Sequence, residues 1–346
     1  MRKLASIRRI DELNPIEGAD KIEVATVGGW KVVCQKGLYV VGDLAVYFEI
    51  DSWIPSNVAP FLTKEGHYPK VFEGVEGERL KTIKLRGQLS QGLLIPLKEI
   101  VPLFPDSEFD EGQELMEFFR EDADMTEFLG ILKWEKAIPA QLAGISRGNF
   151  PTLIPKTDQE RVQNLKKEIA AAQGQVYEVT EKLEGSSMTC YVIDGEFGVC
   201  SRNLNLKETE GNSFWIAARD NDLEQKMLAR QYDFAIQGEL IGPGVQGNIY
   251  KLTKPEFYVF DIYDVKDGEY MNPAARRQLV ESLGLKHVPI LDDMYVLNDD
   301  VEQLLTLAEG KSRMFDTERE GIVFKQNDGG MTFKAISNIY LLKQKD

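Results

Sequence analysis

Charged residues stand inside apolar, strand-like stretches at five places in the second half of this 346-residue chain. They are Lys182, Arg202, Glu239, the pair Glu320 and Lys325, and Lys334. A buried charge costs several kcal/mol unless it is paired or bound to a ligand. A lone lysine beside glutamates, as in "TEKLEG", is more often part of an exposed ion pair. Five such places in one set of strands instead indicate a pocket for a ligand that carries several charges.

The residues after Gly174 predict the strands and helices that position these charges. "YEVTEKL", "SMTCYVI" and "GEFGVCS" have the composition of strands, and Asp194-Gly195 is a hairpin signal. "NPAARRQLVESLGL" and "NDDVEQLLTLAEGK" read as helices, and "EGIVFKQ" and "MTFKAIS" as two closing strands. The pattern predicts an α+β domain of mixed or antiparallel sheets with flanking helices.

A further helix is predicted just before these strands. Thr157 and Glu160 have the spacing of a capping box, and Gly174 suits the helix end. Arg161 then falls in the first helical turn, where the helix dipole disfavours a cation. A bound anion would resolve this conflict, and a surface ion pair with a local acid would resolve it equally well.

The first 104 residues are rich in short strands. "KIEVATV", "WKVVCQ", "LAVYFEI" and "RLKTIKLRG" are separated by turn residues, which is typical of a small barrel of the OB type. The segments "NPIEGADKIEVATV", "VGDLAVYFEID" and "SQGLLIPL" resemble OB modules that bind tRNA. The same residues would also suit the strands and turns of any small barrel.

An acidic segment, residues 104–128, follows this barrel and reads as a solvated connector with some helix. We therefore predict two domains: residues 1–128, an OB-fold domain with an acidic connector, and residues 129–346, the α+β domain. Residues 139–155, rich in Pro, Gly and small side chains, read as an extended linker.

The composition excludes several classes of protein. No apolar stretch is long enough to span a membrane, and the N-terminus has no secretory signal, so we expect a cytoplasmic or otherwise intracellular protein without membrane contact. Three cysteines are too few for a disulfide framework, and two histidines supply little histidine-based metal chemistry. The net charge of −15 argues against a non-specific polyanion coat but leaves room for a local basic cleft.

The charged stretches resemble, in order, the motifs of the covalent nucleotidyltransferases, the superfamily of ATP-dependent ligases and mRNA capping enzymes. The family's Lys-x-Asp-Gly corresponds to Lys182-Leu183-Glu184-Gly185, and "GELIGPGVQGNIY", "FYVFDIYD", "EGIVFK" and "FKAIS" correspond to its later motifs. Within the superfamily the closest likeness is to ATP-dependent RNA ligases with an OB domain in front of the transferase domain. Glu184 departs from the usual aspartate by one extra methylene.

The resemblance implies catalysis in three steps with ATP and Mg²⁺ or Mn²⁺. Lys182 attacks the α-phosphorus of ATP to form a lysyl–AMP intermediate, AMP moves to the 5′-phosphate of RNA, and a 3′-OH displaces it. Lys325 and Lys334 are expected to neutralise the α-phosphate, and Arg161 to bind the β- and γ-phosphates. Glu184, Glu239 and Glu320 are expected to hold the metal ion, through waters, rather than to pair with the lysine, whose pKa they would raise.

The resemblance also implies the contacts of the nucleoside. Phe260 is expected to stack on adenine, the main chain at Glu181 to read the adenine edge, Glu239 to bind the ribose hydroxyls, and Arg202 to bind the ribose or an RNA phosphate. Phe260 would serve equally well as a core residue of a buried strand.

The expected partner is RNA with 5′-phosphate and 3′-OH ends, as in RNA repair, and no obligate protein partner is evident. Two alternatives stay open. One is a DNA ligase or a GTP-using capping enzyme, in which an OB domain usually follows the transferase domain. The other is an RNA-binding OB protein with a non-catalytic transferase domain, which would have no reason to keep these costly charges.

Overall fold

The computed structural model describes residues 3–103, 119–135 and 144–343. Contacts divide the chain into one unit of residues 1–137 and 163–166 and a second unit of residues 138–162 and 167–346. Most of the acidic connector and the first part of the predicted linker lie outside the described residues. The domain boundary predicted at residue 128 stays a prediction.

The first unit is built from short, mostly antiparallel strands. Its strands are β1 (Ala5–Arg9), β2 (Glu12–Pro15), β3 (Ile22–Val27), β4 (Trp30–Gln35), β5 (Leu44–Phe48), β6 (Ser52–Pro55), β7 (Lys70–Phe72), β8 (Val75–Arg79), β9 (Thr82–Leu85), β10 (Gln88–Gln91), β11 (Leu93–Pro96) and β12 (Leu132–Lys133). They pair in the orders β1-β5-β11, β2-β3-β4, β12-β6-β8-β7 and β10-β9. Two 3₁₀ turns, Pro60–Leu62 and Val101–Leu103, and the helix α1 (Leu97–Ile100) complete the described elements.

The hairpin between β3 and β4 shows how sequence sets this unit's geometry. Val27 faces Trp30, so the turn is Gly28-Gly29, and Gly28 has a φ of 58°, which glycine adopts without strain. A Cβ on Gly29 would lie 2.7 Å from the Cα of Gln163. The second glycine therefore lets residues 163–166 pack closely on this hairpin.

The second unit contains, within residues 144–343, two sheets and six helices. Its strands are β13 (Ser146–Asn149), β14 (Glu160–Arg161), β15 (Val176–Lys182), β16 (Ser186–Ile193), β17 (Glu196–Cys200), β18 (Leu204–Leu206), β19 (Phe234–Ile241), β20 (Glu256–Asp264), β21 (Glu269–Tyr270), β22 (Lys286–His287), β23 (Ile290–Val296), β24 (Gly321–Gln326) and β25 (Thr332–Ile336). Its helices are α2 (Lys166–Ala171), α3 (Ser213–Asp220), α4 (Leu223–Leu228), α5 (Pro273–Ser282), α6 (Val301–Ala308) and α7 (Asn338–Lys343).

One of these sheets has the order β13-β18-β17-β16-β19-β20-β21, with β22 also paired to β20. The other has the order β14-β25-β24-β15-β23. Asp194 and Gly195, with φ of 52° and 76°, form the predicted hairpin between β16 and β17. Cys190 and Cys200 lie on this hairpin as buried, unbridged thiols.

The helix predicted from residue 157 is wrong over its first half. Residues 160 and 161 form β14, which pairs in parallel with β25, and a 3₁₀ turn at Val162–Asn164 precedes α2. The Thr157 hydroxyl bonds that of Ser187 at 2.9 Å, so it caps no helix. Pairing with an open sheet edge outweighs the local capping signal here, because it pairs the backbone at Glu160 and Arg161 with β25.

No helix among the described residues is long and apolar enough to cross a membrane.

Candidate functional site

One face of the five-stranded sheet carries four of the charged residues that the sequence singled out, Arg161, Lys182, Lys325 and Lys334. Glu239 and Arg202 belong to the other sheet, on β19 and just after β17. Strand pairing places Arg161 beside Lys334 and Lys334 beside Val323, one strand further along the sheet. Because side chains alternate between faces along a strand, Lys325 and Lys182 point to the same side as this row. The opposite face carries core aromatics, with Phe324 and Phe333 stacked at 4.6 Å between ring centroids.

Lys182 is the last residue of β15, and its Nζ lies 2.8 Å from Oε1 of Glu320. Burial lowers the pKa of the Lys182 amine, but Glu320 and Glu239 more than offset that effect, so the pKa lies above its ordinary value. The positive charge of Arg161 lowers the pKa of the Lys182 amine, so the guanidinium lies close enough to interact with it electrostatically.

Glu320 does pair with Lys182, contrary to the expectation that the three glutamates would hold the metal ion rather than pair with the lysine. A half-buried ammonium is stabilised by a counter-ion, and Glu320, one residue before β24, supplies that carboxylate. The lysine is thus held in its protonated, non-nucleophilic form.

Glu239 lies on β19, opposite Ser187 of β16. Burial raises the pKa of its carboxyl to about 8, Glu320 adds to the rise, and Lys182 and Arg202 oppose it. A carboxylate in this condition is stabilised by an added cation, which fits either a metal ion or its waters.

The metal-binding prediction for Glu184, Glu239 and Glu320 stays a prediction. Their carboxylate oxygens suit Mg²⁺ or Mn²⁺. Within the described residues, no group of three or more His, Cys, Asp or Glu side chains forms a ready-made metal site.

Lys325 is held by two acceptors. Its Nζ lies 2.6 Å from Oδ1 of Asp261 and donates to the main-chain carbonyl of Phe260. Burial lowers the pKa of the amine to about 8, Asp261 opposes the shift, and Arg276 adds to it. The same Nζ lies 5.5 Å from the centroid of the Phe260 ring, so the two predicted ATP-binding residues are neighbours.

Behind Lys325 lies a buried network that the sequence analysis missed. Arg276 of α5 is 1% exposed, pairs with the fully buried Glu178, and lies 3.6 Å from Asp261. Its Nε donates to Nε2 of His287, whose Nδ1 donates to the Val288 carbonyl, so the imidazole is neutral. Burial lowers the pKa of His287 to about 4, and Arg276 lowers it further. The sequence does contain one signal for this network: Asp261 is a charged residue inside the apolar stretch "FDIYD".

Phe260 is half-buried and packs against an apolar cluster. The buried members of this cluster are Leu183, Ile241, Tyr250, Tyr258 and Val288. Leu183 directly follows Lys182, so the predicted adenine-stacking ring packs in the same cluster as the residue next to the predicted nucleophile.

Gly185 is fixed in identity by close packing. A Cβ at this position would lie 2.3 Å from the carbonyl oxygen of Leu240. The glycine of the Lys182–Gly185 motif is thus required by the approach of β19, which carries Glu239.

Glu181 and Arg202 both have partners within the protein. The Glu181 N–H donates to the Pro289 carbonyl at 2.8 Å, and its carboxylate accepts the Arg313 N–H at 2.8 Å. The N–H is therefore not available to the adenine edge, and a main-chain contact would have to use the carbonyl oxygen. Arg202 pairs with Asp158 at 2.6 Å, and both side chains are exposed.

Arg319 is a further residue that the sequence analysis missed. Its guanidinium donates to the carbonyls of Leu307, Ala308 and Glu309 at the end of α6. This cap anchors the residue immediately before Glu320.

Two family models match the chain. One, described as RNA ligase, matches residues 175–336, and the other, an OB-fold domain, matches residues 4–97. No curated protein sequence matches.

Solved structures of Naegleria gruberi RNA ligase are similar over the whole chain. A lysine-to-alanine variant with ATP and Mn is 46% identical, covers 98% of each chain and has a TM-score of 0.89. A lysine-to-methionine variant with AMP and Mn is 46% identical, covers 100% of each chain and has a TM-score of 0.90. A third, with PPi, is 46% identical, covers 99% of this chain and 98% of that chain, and has a TM-score of 0.88.

Proposed function

The chain belongs to the RNA ligase family, and we propose that Lys182 is the residue on which it carries AMP. It is an ATP-dependent RNA ligase that uses a divalent metal ion. The predicted α+β architecture, an OB-fold domain followed by a ligase domain of mixed sheets, is confirmed. The observation that supports the role of Lys182 is its ion pair with Glu320 on the face that also carries Arg161, Lys325 and Lys334.

In the first step the amine of Lys182 loses its proton to the Glu320 carboxylate or to solvent. The freed amine attacks the α-phosphorus of ATP, a P–N bond forms, and the bond to the β-phosphate oxygen breaks to release pyrophosphate. Lys325 and Lys334 neutralise the α-phosphate oxygens as charge develops, and Arg161 binds the outer phosphates. Arg161 does this from a strand, so its role rests on its place beside Lys334 and not on a helix dipole.

Glu184, Glu239 and Glu320 are the proposed ligands of the metal ion, directly or through water. The ion, when bound, supplies positive charge that lowers the pKa of the lysine amine and stabilises the leaving pyrophosphate.

The nucleoside is held by residues around the same face. Phe260 stacks on adenine from its place beside Lys325, and Glu239 and Arg202 contact the ribose. Glu181 contacts the adenine edge through its carbonyl oxygen, since its N–H is bonded within the sheet.

In the second step a 5′-phosphate of RNA displaces Lys182 and takes AMP. In the third step a 3′-OH attacks that phosphate and AMP leaves, so the energy of ATP is conserved in the new phosphodiester bond. The substrate is RNA with 5′-phosphate and 3′-OH ends.

Incubation with α-labelled ATP and a divalent metal ion, without RNA, tests this assignment. The wild-type chain should acquire covalent label that survives denaturation and alkali but is released by acid, as expected of a P–N bond. Lys182→Ala should acquire none, and Lys286→Ala, which removes an exposed lysine paired with Glu256, should label normally. Label in Lys182→Ala would show that another residue is the nucleophile. A wild-type chain that takes label from GTP instead of ATP would support the capping alternative.

We also propose an intracellular setting for this protein. The three cysteines are free, which suits a reducing, intracellular compartment. The chain is proposed to act without an obligate protein partner, and sealing of nicked and single-stranded RNA by the purified chain alone would test both this and the preferred substrate.

A further inference from the structure

The backbone that follows the nucleophile is tied to a distant loop by one side chain. The N–H of Glu184 donates to the hydroxyl oxygen of Tyr250, at 2.6 Å between the nitrogen and the oxygen. The two residues are 66 positions apart, so this bond joins the Lys182 motif to the loop after β19.

The loop that carries Tyr250 has a defined conformation. Gln246, Asn248 and Lys251 have φ of 45°, 43° and 54°, which side chains other than glycine seldom adopt without stabilising contacts. The Asn248 side chain supplies such contacts, because its Nδ2 donates to the Leu252 carbonyl and its Oδ1 accepts the Leu252 N–H. The loop thus presents the Tyr250 hydroxyl from a fixed place.

The ring of Tyr250 is also held. It is 7% exposed, and its centroid lies 4.3 Å from that of Phe315, which precedes Glu320 in the chain. Tyr250 therefore contacts both segments whose ends meet in the pair of Lys182 with Glu320.

Three consecutive residues after Lys182 are each restrained in a different way. Leu183 is 2% exposed in the cluster that contains Tyr250, Glu184 is bonded through its N–H, and Gly185 contacts β19 too closely to accept a side chain. The restraint at Glu184 is the one that depends on a single hydroxyl group.

We propose that Tyr250 is a positioning residue for lysine adenylylation, which fixes the backbone at Glu184 and thereby the carboxylate next to the nucleophile. It acts through Glu184 and does not itself touch ATP. This inference rests on the proposed role of Lys182 and adds a residue to which neither the sequence analysis nor the site description gave a role in catalysis.

Tyr250→Phe tests the inference, because it keeps the ring and removes only the acceptor. Tyr258→Phe is the matched control: Tyr258 is buried in the same cluster, and its hydroxyl bonds Glu256 at 2.7 Å instead of the Lys182 motif. In single-turnover labelling with α-labelled ATP, Tyr250→Phe should lower the maximal rate by about five- to fiftyfold, as expected when a largely buried N–H loses its acceptor. The final labelled fraction and the ATP concentration for half-maximal rate should change less than about twofold.

Hydrogen exchange gives a readout that does not depend on catalysis. The Glu184 amide should exchange faster in Tyr250→Phe than in the wild type, and its exchange in Tyr258→Phe should be unchanged. Any of three results would overturn the inference. The rate of exchange or of labelling could be unchanged in Tyr250→Phe, or Tyr258→Phe could lose as much labelling rate as Tyr250→Phe. The labelled fraction of Tyr250→Phe could also fall while its labelling rate stays unchanged. A wild-type chain that does not label would refute the role of Lys182, while the exchange measurement would still decide whether Tyr250 restrains Glu184.

Discussion

The ammonium of Lys182 and the carboxylate of Glu320 form an ion pair 2.8 Å long between the end of β15 and the start of β24. This pair stabilises the protonated amine, which cannot attack phosphorus. For Lys182 to act as the proposed nucleophile, this pair must separate, and the positive charge of a bound metal ion would favour that separation by lowering the pKa of the amine.

ATP affinity should fall as the pH rises through 8, because burial lowers the pKa of Lys325 to about 8 and the amine loses its charge above that pH. If the bound phosphates require the charged form, the dissociation constant for ATP should increase about eightfold between about pH 7.5 and 9.0. Isothermal titration at several pH values measures this. Lys325→Arg keeps its charge over this range, so its affinity should stay flat. A flat profile in the wild type would contradict the assignment.

Arg276→Met should destabilise the second unit strongly, because Glu178 would lose its buried partner. Removing one member of a buried pair typically costs about 3–5 kcal/mol of unfolding free energy. Arg277, 32% exposed, also pairs with Glu178, so Arg277→Ala is the matched control and should cost about 1 kcal/mol or less. Denaturant unfolding measures both values, and equal losses would argue against a special role for Arg276.

Gly185→Ala should either abolish labelling or lower its rate by more than about tenfold. The new methyl group would overlap the Leu240 carbonyl and move the Lys182 motif. Gly247→Ala is the control, because its nearest neighbour is 3.8 Å from the added Cβ and its φ is not positive. Single-turnover labelling compares the two. Normal labelling by Gly185→Ala would show that the backbone around this position can shift to accommodate the methyl group, and would contradict the prediction.

Glu184→Asp should retain labelling within about threefold, because it keeps the carboxylate and restores the aspartate of related ligases. Glu184→Gln should require a higher metal concentration for half-maximal labelling, with a shift of about tenfold, as a charged oxygen ligand is lost. Titration of Mg²⁺ and Mn²⁺ against the labelling rate tests this pair. Metal dependence unchanged in Glu184→Gln would remove Glu184 from the proposed ligands.

The residues that form the charged face could be predicted from sequence because each stands in an apolar strand. A charge in such a strand is costly to bury, so its presence there indicates a function. Lys182, Lys325 and Lys334 have this property, and strand alternation then places them on one face of the sheet. The reaction itself was predicted from the order of the family motifs along the chain. Register between strands that are distant in sequence, such as Arg161 beside Lys334, could not be read from local patterns.

The supporting residues could not be predicted for two physical reasons. Arg276 lies in an amphipathic helix, where an arginine ordinarily faces water, so only tertiary packing reveals its burial against Glu178. Tyr250 lies in an irregular loop without periodicity, and its hydrogen bond depends on left-handed backbone angles at neighbouring residues. The capping signal at Thr157 failed because pairing at a sheet edge has no local signature.

The two unbridged cysteines of the hairpin formed by β16 and β17 can report transient opening of the sheet, because a buried thiol reacts only when it becomes exposed. Burial raises the pKa of Cys200 to about 12 and that of Cys190 well above its ordinary value, and only the thiolate is readily alkylated. Once the third free thiol, the more exposed Cys34 on β4, is replaced by Cys34→Ser, pulsed alkylation would therefore count openings of the ligase sheet. ATP that tightens the site should slow this trapping, and a variant that loses activity through unfolding should speed it.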